Sequence, residues 1–304
     1  MSQRVFVTGA SGFLGAHLVC ALSAEGFAVT ALVREPSRAA HLLGLPGVSL
    51  LAGDLAHPQP WRAHLAGHDA CVHLALLWGA EADDLELLDV RASARLFEAA
   101  ASAGVGHLVY TSSTAVHRPW SPSMSARDAT RTADYYGATK ASGEAFLSAV
   151  CAARGVRGNV VRPGAVLGAP ALRGAPMRLD RRLDAMIESA RRGEAIRVKP
   201  GDGRQFIGAA DLARLYVALL QSPCDGERFI AVAPEVISWA EVAERVCEAA
   251  GGGRVERERA ELEDPPRFDV EHTERCLGAI PSARPALREA LAARCAAAGH
   301  LTDP

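Results

Sequence analysis

No stretch of this chain is apolar for long enough to cross a bilayer. Its first residues run directly into a strand pattern rather than a leader. Neither membrane insertion nor secretion is expected. An excess of one charge is also missing. The 33 Lys and Arg against 35 Asp and Glu leave a formal net charge of −2, which gives no general attraction to nucleic acid or a membrane surface. The seven cysteines include no CxxC pair and no zinc spacing. An odd, scattered set reads as reduced thiols in a cytoplasmic protein. His64 and His68 are read as sharing a helical face, but no third ligand accompanies them, so no metal site is expected. No internal repeat is evident.

What is present is a long chain rich in apolar residues. At 304 residues and 49% hydrophobic it can build one large core and a smaller second lobe. The strand Val5-Phe6-Val7 leads through Thr8 into a turn with glycines at Gly9, Gly12 and Gly15. A helix with Leu14, Leu18, Val19 and Leu22 on its apolar side follows. Gly9 is free to take a backbone conformation that a side chain would forbid. Gly12 lets a pyrophosphate approach the backbone, and Gly15 lets the helix pack on the strand. The unpaired N–H groups at the helix start, aided by the helix dipole, then face an anion. The spacing GxxGxxG is a variant of the dinucleotide fingerprint.

A second strand, Ala28 to Val33, ends without the acid that commonly holds an adenosine ribose. Arg34 and Arg38 stand there instead and suit a 2′-phosphate, so NADP(H) is favoured. Glu35 can reach a ribose and keeps NAD(H) open. Strands at Val48–Leu55, Ala70–Ala75, His107–Ser113 and Val156–Val161 alternate with helices at 84–103 and from Tyr136 to Arg154. That alternation indicates an α/β fold with a doubly wound parallel sheet. Ligands in such sheets lie beyond the carboxyl ends of the strands, where Gly12, Asp54, Ala75, Ser113 and Pro163 fall. Asp54 either hydrogen-bonds an adenine amino group or caps the next turn. His73 is read as packed beside the sheet.

Tyr136 and Lys140 are four residues apart on a helix and share a face. Ser113 closes the neighbouring strand. A free phenol titrates near pH 10, and an adjacent ammonium brings that toward neutrality. Tyr136 then exchanges a proton with a carbonyl or alcohol oxygen as hydride moves to or from a nicotinamide. Ser113 fixes the same oxygen, and Lys140 also holds the nicotinamide ribose.

Five segments carry a family resemblance: Thr8–Gly15, Gly53-Asp54-Leu55, Thr111-Ser112-Ser113, Tyr136–Lys140 and Arg162-Pro163-Gly164. Together they resemble the extended short-chain dehydrogenase/reductase superfamily. That superfamily includes the NAD-dependent epimerase/dehydratase group and dihydroflavonol-reductase-like carbonyl reductases. The resemblance implies a Rossmann domain at 1–165 and 206–232 and a C-terminal substrate lobe at 166–205 and 233–304. It implies Ser113, Tyr136 and Lys140 as the catalytic trio, with Ser112 as the alternative serine. The cofactor set comprises Gly9, Ser11, Gly12, Phe13, Leu14, Gly15, Arg34, Arg38, Asp54, Leu55, Leu74, Ala75, Thr111, Tyr136, Lys140 and Pro163. The substrate set comprises Trp78, Ser113, Trp120, Gly164, Met177 and Arg204. The family often pairs as dimers through two long helices, here 84–103 and 137–153.

Three departures stand out. Asp89 replaces the usual asparagine before Val90. His117-Arg118 replaces Tyr-Gly. Gly201–Phe206 shortens a stretch that in nucleotide-sugar enzymes meets a diphosphate. Three readings follow. The first is an NADPH-preferring reductase of a ketone or aldehyde on a small apolar metabolite, favoured by the apolar loops at Leu77, Trp78, Trp120 and Met177. The second is a nucleotide-sugar epimerase, dehydratase or 4-ketoreductase. The third is a non-catalytic dinucleotide-sensing regulator, which would not need Tyr136 and Lys140.

Overall fold

The computed structural model describes residues 2–77, 85–259 and 264–299. Seven strands form its central sheet: β1 (Arg4–Thr8), β2 (Ala28–Val33), β3 (Val48–Ala52), β4 (Ala70–His73), β5 (His107–Thr111), β6 (Arg157–Pro163) and β7 (Arg228–Ala231). Their order is β7-β6-β5-β4-β1-β2-β3, and every neighbouring pair is parallel. From β1 the chain moves outward to β3, then crosses back to β4 on the other side of β1. The order reverses between β1 and β4, where doubly wound sheets open a crevice.

Residues alternate across the sheet with the two-residue period of a strand. Val5 and Val7 face one core with helix α1 (Phe13–Ala24), while Phe6 faces the other with Leu96 and Phe97 of helix α2 (Leu85–Ser102). Parallel strands are covered on both faces, which explains their unbroken apolar runs. Helix α3 (Tyr135–Arg154) packs beside α2, and helix α5 (Ala209–Gln221) packs beside α1. Helix α4 (Arg181–Arg191), helix α6 (Trp239–Ala250) and helix α7 (Arg284–Gly299) surround a separate apolar core that includes Leu183, Ile187, Val242 and Leu287. Among the described residues no helix is long and apolar enough to cross a membrane.

The expectation of a shared helical face for His64 and His68 is not met. His64 lies in a short 3-10 turn, Ala63–Leu65, and His68 lies beyond it. The His68 ring is buried, with Nε2 2.8 Å from Thr30 Oγ1 and Nδ1 3.1 Å from the Leu65 carbonyl. Its ring nitrogens already have protein partners.

Helix α3 is placed by its ends and by one close approach. Asp134 caps it, accepting the Gly137 N–H at 2.7 Å. Gly155 closes it in the left-handed region at φ 64°. In between, Gly143 lies directly on the Tyr110 ring of β5. A Cβ there would stand 2.4 Å from the Tyr110 hydroxyl oxygen. Tyr110 is fully buried and has no room to retreat. We therefore expect Gly143→Ala to destabilise the protein by about 1–3 kcal/mol, the range for overpacking a filled core. Urea denaturation checks this; an unchanged midpoint would mean that the helix tolerates a shift off β5.

Candidate active site

The crevice between β1 and β4 is shaped by backbone. Gly9 has φ +72°, and a Cβ on it would lie 2.6 Å from the Ala75 nitrogen. A Cβ on Gly15 would lie 2.1 Å from the Gly9 carbonyl, so α1 packs tightly behind the turn. Gly12 caps α1 with no side-chain hydrogen bond to its first turn. The helix start thus keeps N–H donors for an anion, and the residues present fit a dinucleotide pyrophosphate. Ser11 and Leu14 are half-buried at this turn, and Phe13 is buried edge-on to His17 with ring centres 5.2 Å apart.

The other predicted cofactor residues divide. Leu74 and Ala75 follow β4, and the Leu74 N–H donates to the Thr8 carbonyl at 3.2 Å. Asp54 Oδ1 accepts the Ala56 N–H at 2.9 Å, so this carboxylate caps its own turn. Leu55 is buried in the core beneath it. The Thr111 hydroxyl lies 2.6 Å from the Tyr216 hydroxyl, which uses one of its hydrogen-bonding sites. Pro163 is buried at the end of β6. Arg38 is paired with Glu35 at 2.8 Å, both exposed, and Arg34 is exposed.

Tyr136, Lys140 and Glu144 recur every four residues on the inner face of α3. The Ser113 side chain hydrogen-bonds the Tyr136 phenol, and its Oγ also accepts the Ala115 N–H at 3.2 Å. The neighbouring Ser112 Oγ donates instead to Glu144 Oε1 at 2.6 Å. Lys140 is buried, with Nζ 5.0 Å from the Tyr110 ring centre. Burial raises the Tyr136 phenol above its ordinary value; the Ser113 hydrogen bond and the positive charges of Arg178 and Arg118 pull it back, while Asp89 pushes it up. Burial lowers the Lys140 ammonium, against an opposing pull from Asp89. The cations felt most by the phenol are thus Arg178 and Arg118, whereas the sequence pattern pointed to Lys140.

On the side facing the second core, Arg204 is closed by an ion pair with Asp180 at 2.8 Å. Its guanidinium carbon lies 5.9 Å from the Trp120 ring, 5.9 Å from Phe206 and 5.7 Å from Trp239. Arg182 repeats the arrangement, 4.2 Å from Trp239 and 2.7 Å from Asp202. Trp120 also stands edge-on to Phe268 with ring centres 6.1 Å apart. Met177 is half-buried on the loop before α4. Gly164 has no space for a side chain, since its Cβ would lie 2.5 Å from Val232. Trp78 lies outside the described residues.

Behind the site lies a polar lattice that no local sequence pattern marks. Arg162 Nε and Nη2 donate to the two oxygens of Glu144 at 2.9 and 2.6 Å, with both side chains buried. Arg162 Nη1 also donates to His117 Nε2 and to the Ala126 carbonyl, each at 3.1 Å. Burial and the Arg162 charge hold the His117 imidazole down at about 4, so it is a neutral acceptor. The available signals were Glu144 one turn beyond Lys140 and a lone Arg162 after the apolar Val160-Val161. Arg178 carried no signal of its own.

A family model for the NAD dependent epimerase/dehydratase family matches residues 5–233. The chain is 33% identical to a dTDP-4-dehydro-6-deoxy-D-allose reductase of Streptomyces sp over 285 residues, covering 86% of this chain and 85% of the relative. It is 34% identical over 173 residues to a Stigmatella aurantiaca 4-hydroxy-2-methyl-3-oxo-4-farnesyl-3,4-dihydroquinoline-1-oxide ketoreductase, covering 55% of this chain but only 51% of that relative's length. Among solved structures, MoeE5 in complex with UDP-glucuronic acid and NAD superposes with a TM-score of 0.77 at 26% identity, covering 98% and 99% of the two chains. The Bacillus cereus UDP-glucuronic acid 4-epimerase in complex with NAD shares the fold, with a TM-score of 0.81 at 19% identity, covering 99% and 100%. The matched family model spans most of the chain, from β1 through β7, and the parallel sheet, the glycine turn and the Tyr136–Lys140 helix lie within it. This chain belongs to the NAD-dependent epimerase/dehydratase family of extended short-chain dehydrogenases/reductases.

Proposed function

We propose that this protein reduces the carbonyl of a small, largely apolar metabolite with NADPH, using Tyr136 as proton donor. The carrying observation is the Ser113–Tyr136 hydrogen bond, with Lys140 one turn further along the same helix face. The cofactor, when bound, supplies hydride through its nicotinamide. Gly9, Gly12 and the start of α1 would hold its pyrophosphate, and Lys140 its nicotinamide ribose. Tyr136 gives its proton to the carbonyl oxygen, and Ser113 donates a hydrogen bond to that oxygen. A phenol raised by burial keeps its proton at neutral pH, as an acid in the reductive direction must.

The division into a Rossmann domain (1–165 and 206–232) and a substrate lobe (166–205 and 233–304) belongs to this reading. So does a homodimer through α2 and α3, whose outer face carries a groove of about 540 Å³ beside the exposed Phe146. The seven cysteines are all free thiols, in keeping with a cytoplasmic location.

Glu35 is occupied by Arg38, which leaves Arg34 to meet a 2′-phosphate. A hydrogen bond to a charged group contributes about 1.5–3 kcal/mol, or roughly ten- to a hundred-fold in affinity. Arg34→Ala is expected to weaken NADPH use by that factor and to leave NADH use unchanged. Steady-state kinetics with both cofactors decide it; a wild type that prefers NADH would show that Glu35 or the backbone reads the ribose.

A second reading, a nucleotide-sugar 4-ketoreductase, is favoured by the full-length similarity to dTDP-sugar reductases. Against it, Asp180 occupies the arginine that would meet a diphosphate. Asp180→Asn should then increase dTDP affinity about ten-fold or more by freeing Arg204, as measured by calorimetry. Tight dTDP binding by the unmodified protein would reverse the order of the two readings.

A further inference from the structure

Asp89 is 1% exposed, on α2, and occupies the position where the family resemblance places asparagine. Its Oδ1 accepts the Leu77 N–H at 2.8 Å, an interaction that asparagine would make equally well. Its Oδ2 is buried and has no hydrogen-bond partner among the described residues. Lys140 is 3% exposed and, among the described residues, enters no ion pair with a carboxylate, the nearby Glu144 being held by Arg162. Asp89 stands one turn before Ser93, whose Oγ lies 2.9 Å from His73 Nε2; the His73 ring lies 5.6 Å from the Tyr110 ring that Lys140 Nζ faces. Through this cluster the two buried opposite charges act on each other, and neither enters an ion pair within 4.0 Å among the described residues. Isolated, each would give up its charge, because burial penalises the ionised form.

The contacts around each group favour the charged form. The Leu77 N–H bonds a carboxylate more strongly than it bonds the carbonyl oxygen of a neutral acid. The Tyr110 ring, 5.0 Å from Nζ, attracts an ammonium and not a neutral amine. The other titratable groups around Lys140 do not replace Asp89. His73 on β4 is fully buried and held neutral, at about 3, by burial and by Lys140 itself. Tyr110 on β5 is pushed further from ionisation by its burial. On α3 itself, Glu144 is committed to Arg162, and Tyr136 is the proton donor.

We propose that Asp89 is the counter-charge of Lys140: a positioning residue that keeps the lysine an ammonium inside an otherwise dehydrating site. This rests on the reading of Lys140 as part of the reactive set, but its test does not depend on turnover. An asparagine at 89 would hold the same loop through Leu77 without supplying charge. The substitution to aspartate thus adds an electrostatic function to a hydrogen-bonding position.

The chain contains only two lysines, Lys140 and Lys199. Selective ¹³C labelling at the lysine ε-carbon therefore yields two resonances, and Lys140→Met assigns them. The experiment follows the Lys140 resonance with pH in the wild type and in Asp89→Asn, with circular dichroism confirming the fold of each. An adjacent opposite charge moves a titration by about 1–3 pH units. The Lys140 midpoint should fall by about one unit or more in Asp89→Asn, while Lys199 stays where it was. An unchanged Lys140 midpoint would overturn the proposal and leave Asp89 as a cap for Leu77. The alkaline limb of kcat/KM for carbonyl reduction is then measured on the same variant. Removing Asp89 lowers both Lys140 and Tyr136, so this limb should move to lower pH as well. A shifted Lys140 midpoint with an unmoved limb would keep the counter-charge and remove Lys140 from the chemistry.

Discussion

The buried pair between Glu144 and Arg162 ties together the parts on which the rest depends. It joins α3 to β6, and the same carboxylate accepts from Ser112 just beyond β5. The guanidinium reaches onward to His117 and to the Ala126 carbonyl. One bidentate contact therefore registers a helix, two strand ends and the following loop. Removing Glu144 would leave the buried Arg162 charge unpaired, at a cost of about 3–5 kcal/mol, whereas Glu144 also has Arg228 Nε at 3.6 Å. Tyr136 and Lys140 stand two turns and one turn before Glu144 on the same helix face, so their heights along β5 are set by this pair and by the contact of Gly143 with Tyr110.

Behind that frame, burial is the dominant electrostatic influence. It raises Tyr136 and Asp89 and lowers Lys140, in each case favouring the neutral form. The fixed charges then act selectively. Arg178 and Arg118 oppose burial at the phenol, and Asp89 opposes it at the lysine. On the side facing the second core each of Arg118, Arg182 and Arg204 faces an aromatic ring and is closed by an aspartate, namely Asp134, Asp202 and Asp180. Such a wall offers flat apolar surface and arginines already closed by aspartates, which is the ground on which an apolar carbonyl is proposed over a diphosphate, with Arg178 as the further cation felt at the Tyr136 phenol.

The parallel sheet was legible because its signals are local: apolar runs of strand length, a glycine turn between strand and helix, and alternation with amphipathic segments. Tyr136 and Lys140 were legible for the same reason, their spacing being that of a single helix. The lattice behind them was not, since it depends on pairing between distant segments. Glu144 and Arg162 each look like ordinary charged residues until β6 is laid beside β5. Gly143 reads as a weak point in a helix, and only the packed Tyr110 ring shows why no side chain fits. His64 and His68 have helix spacing in the sequence, but the chain leaves a short turn between them and His68 turns inward to Thr30. The sequence allows Asp54 either of two roles, and its carboxylate is engaged with the Ala56 N–H of its own turn.

The proposed reduction depends on the proton held by the Tyr136 oxygen. Tyr136→Phe removes that oxygen and keeps the ring that packs on the site, so the fold and the cofactor crevice are left in place. Turnover of a carbonyl substrate and cofactor dissociation constants, measured side by side in this variant and the wild type, give the most direct test. The account predicts a loss of turnover of about 10²–10⁴-fold, the usual contribution of a general acid, with cofactor affinity unchanged. Turnover within a few-fold of wild type would contradict it and take Tyr136 out of the mechanism.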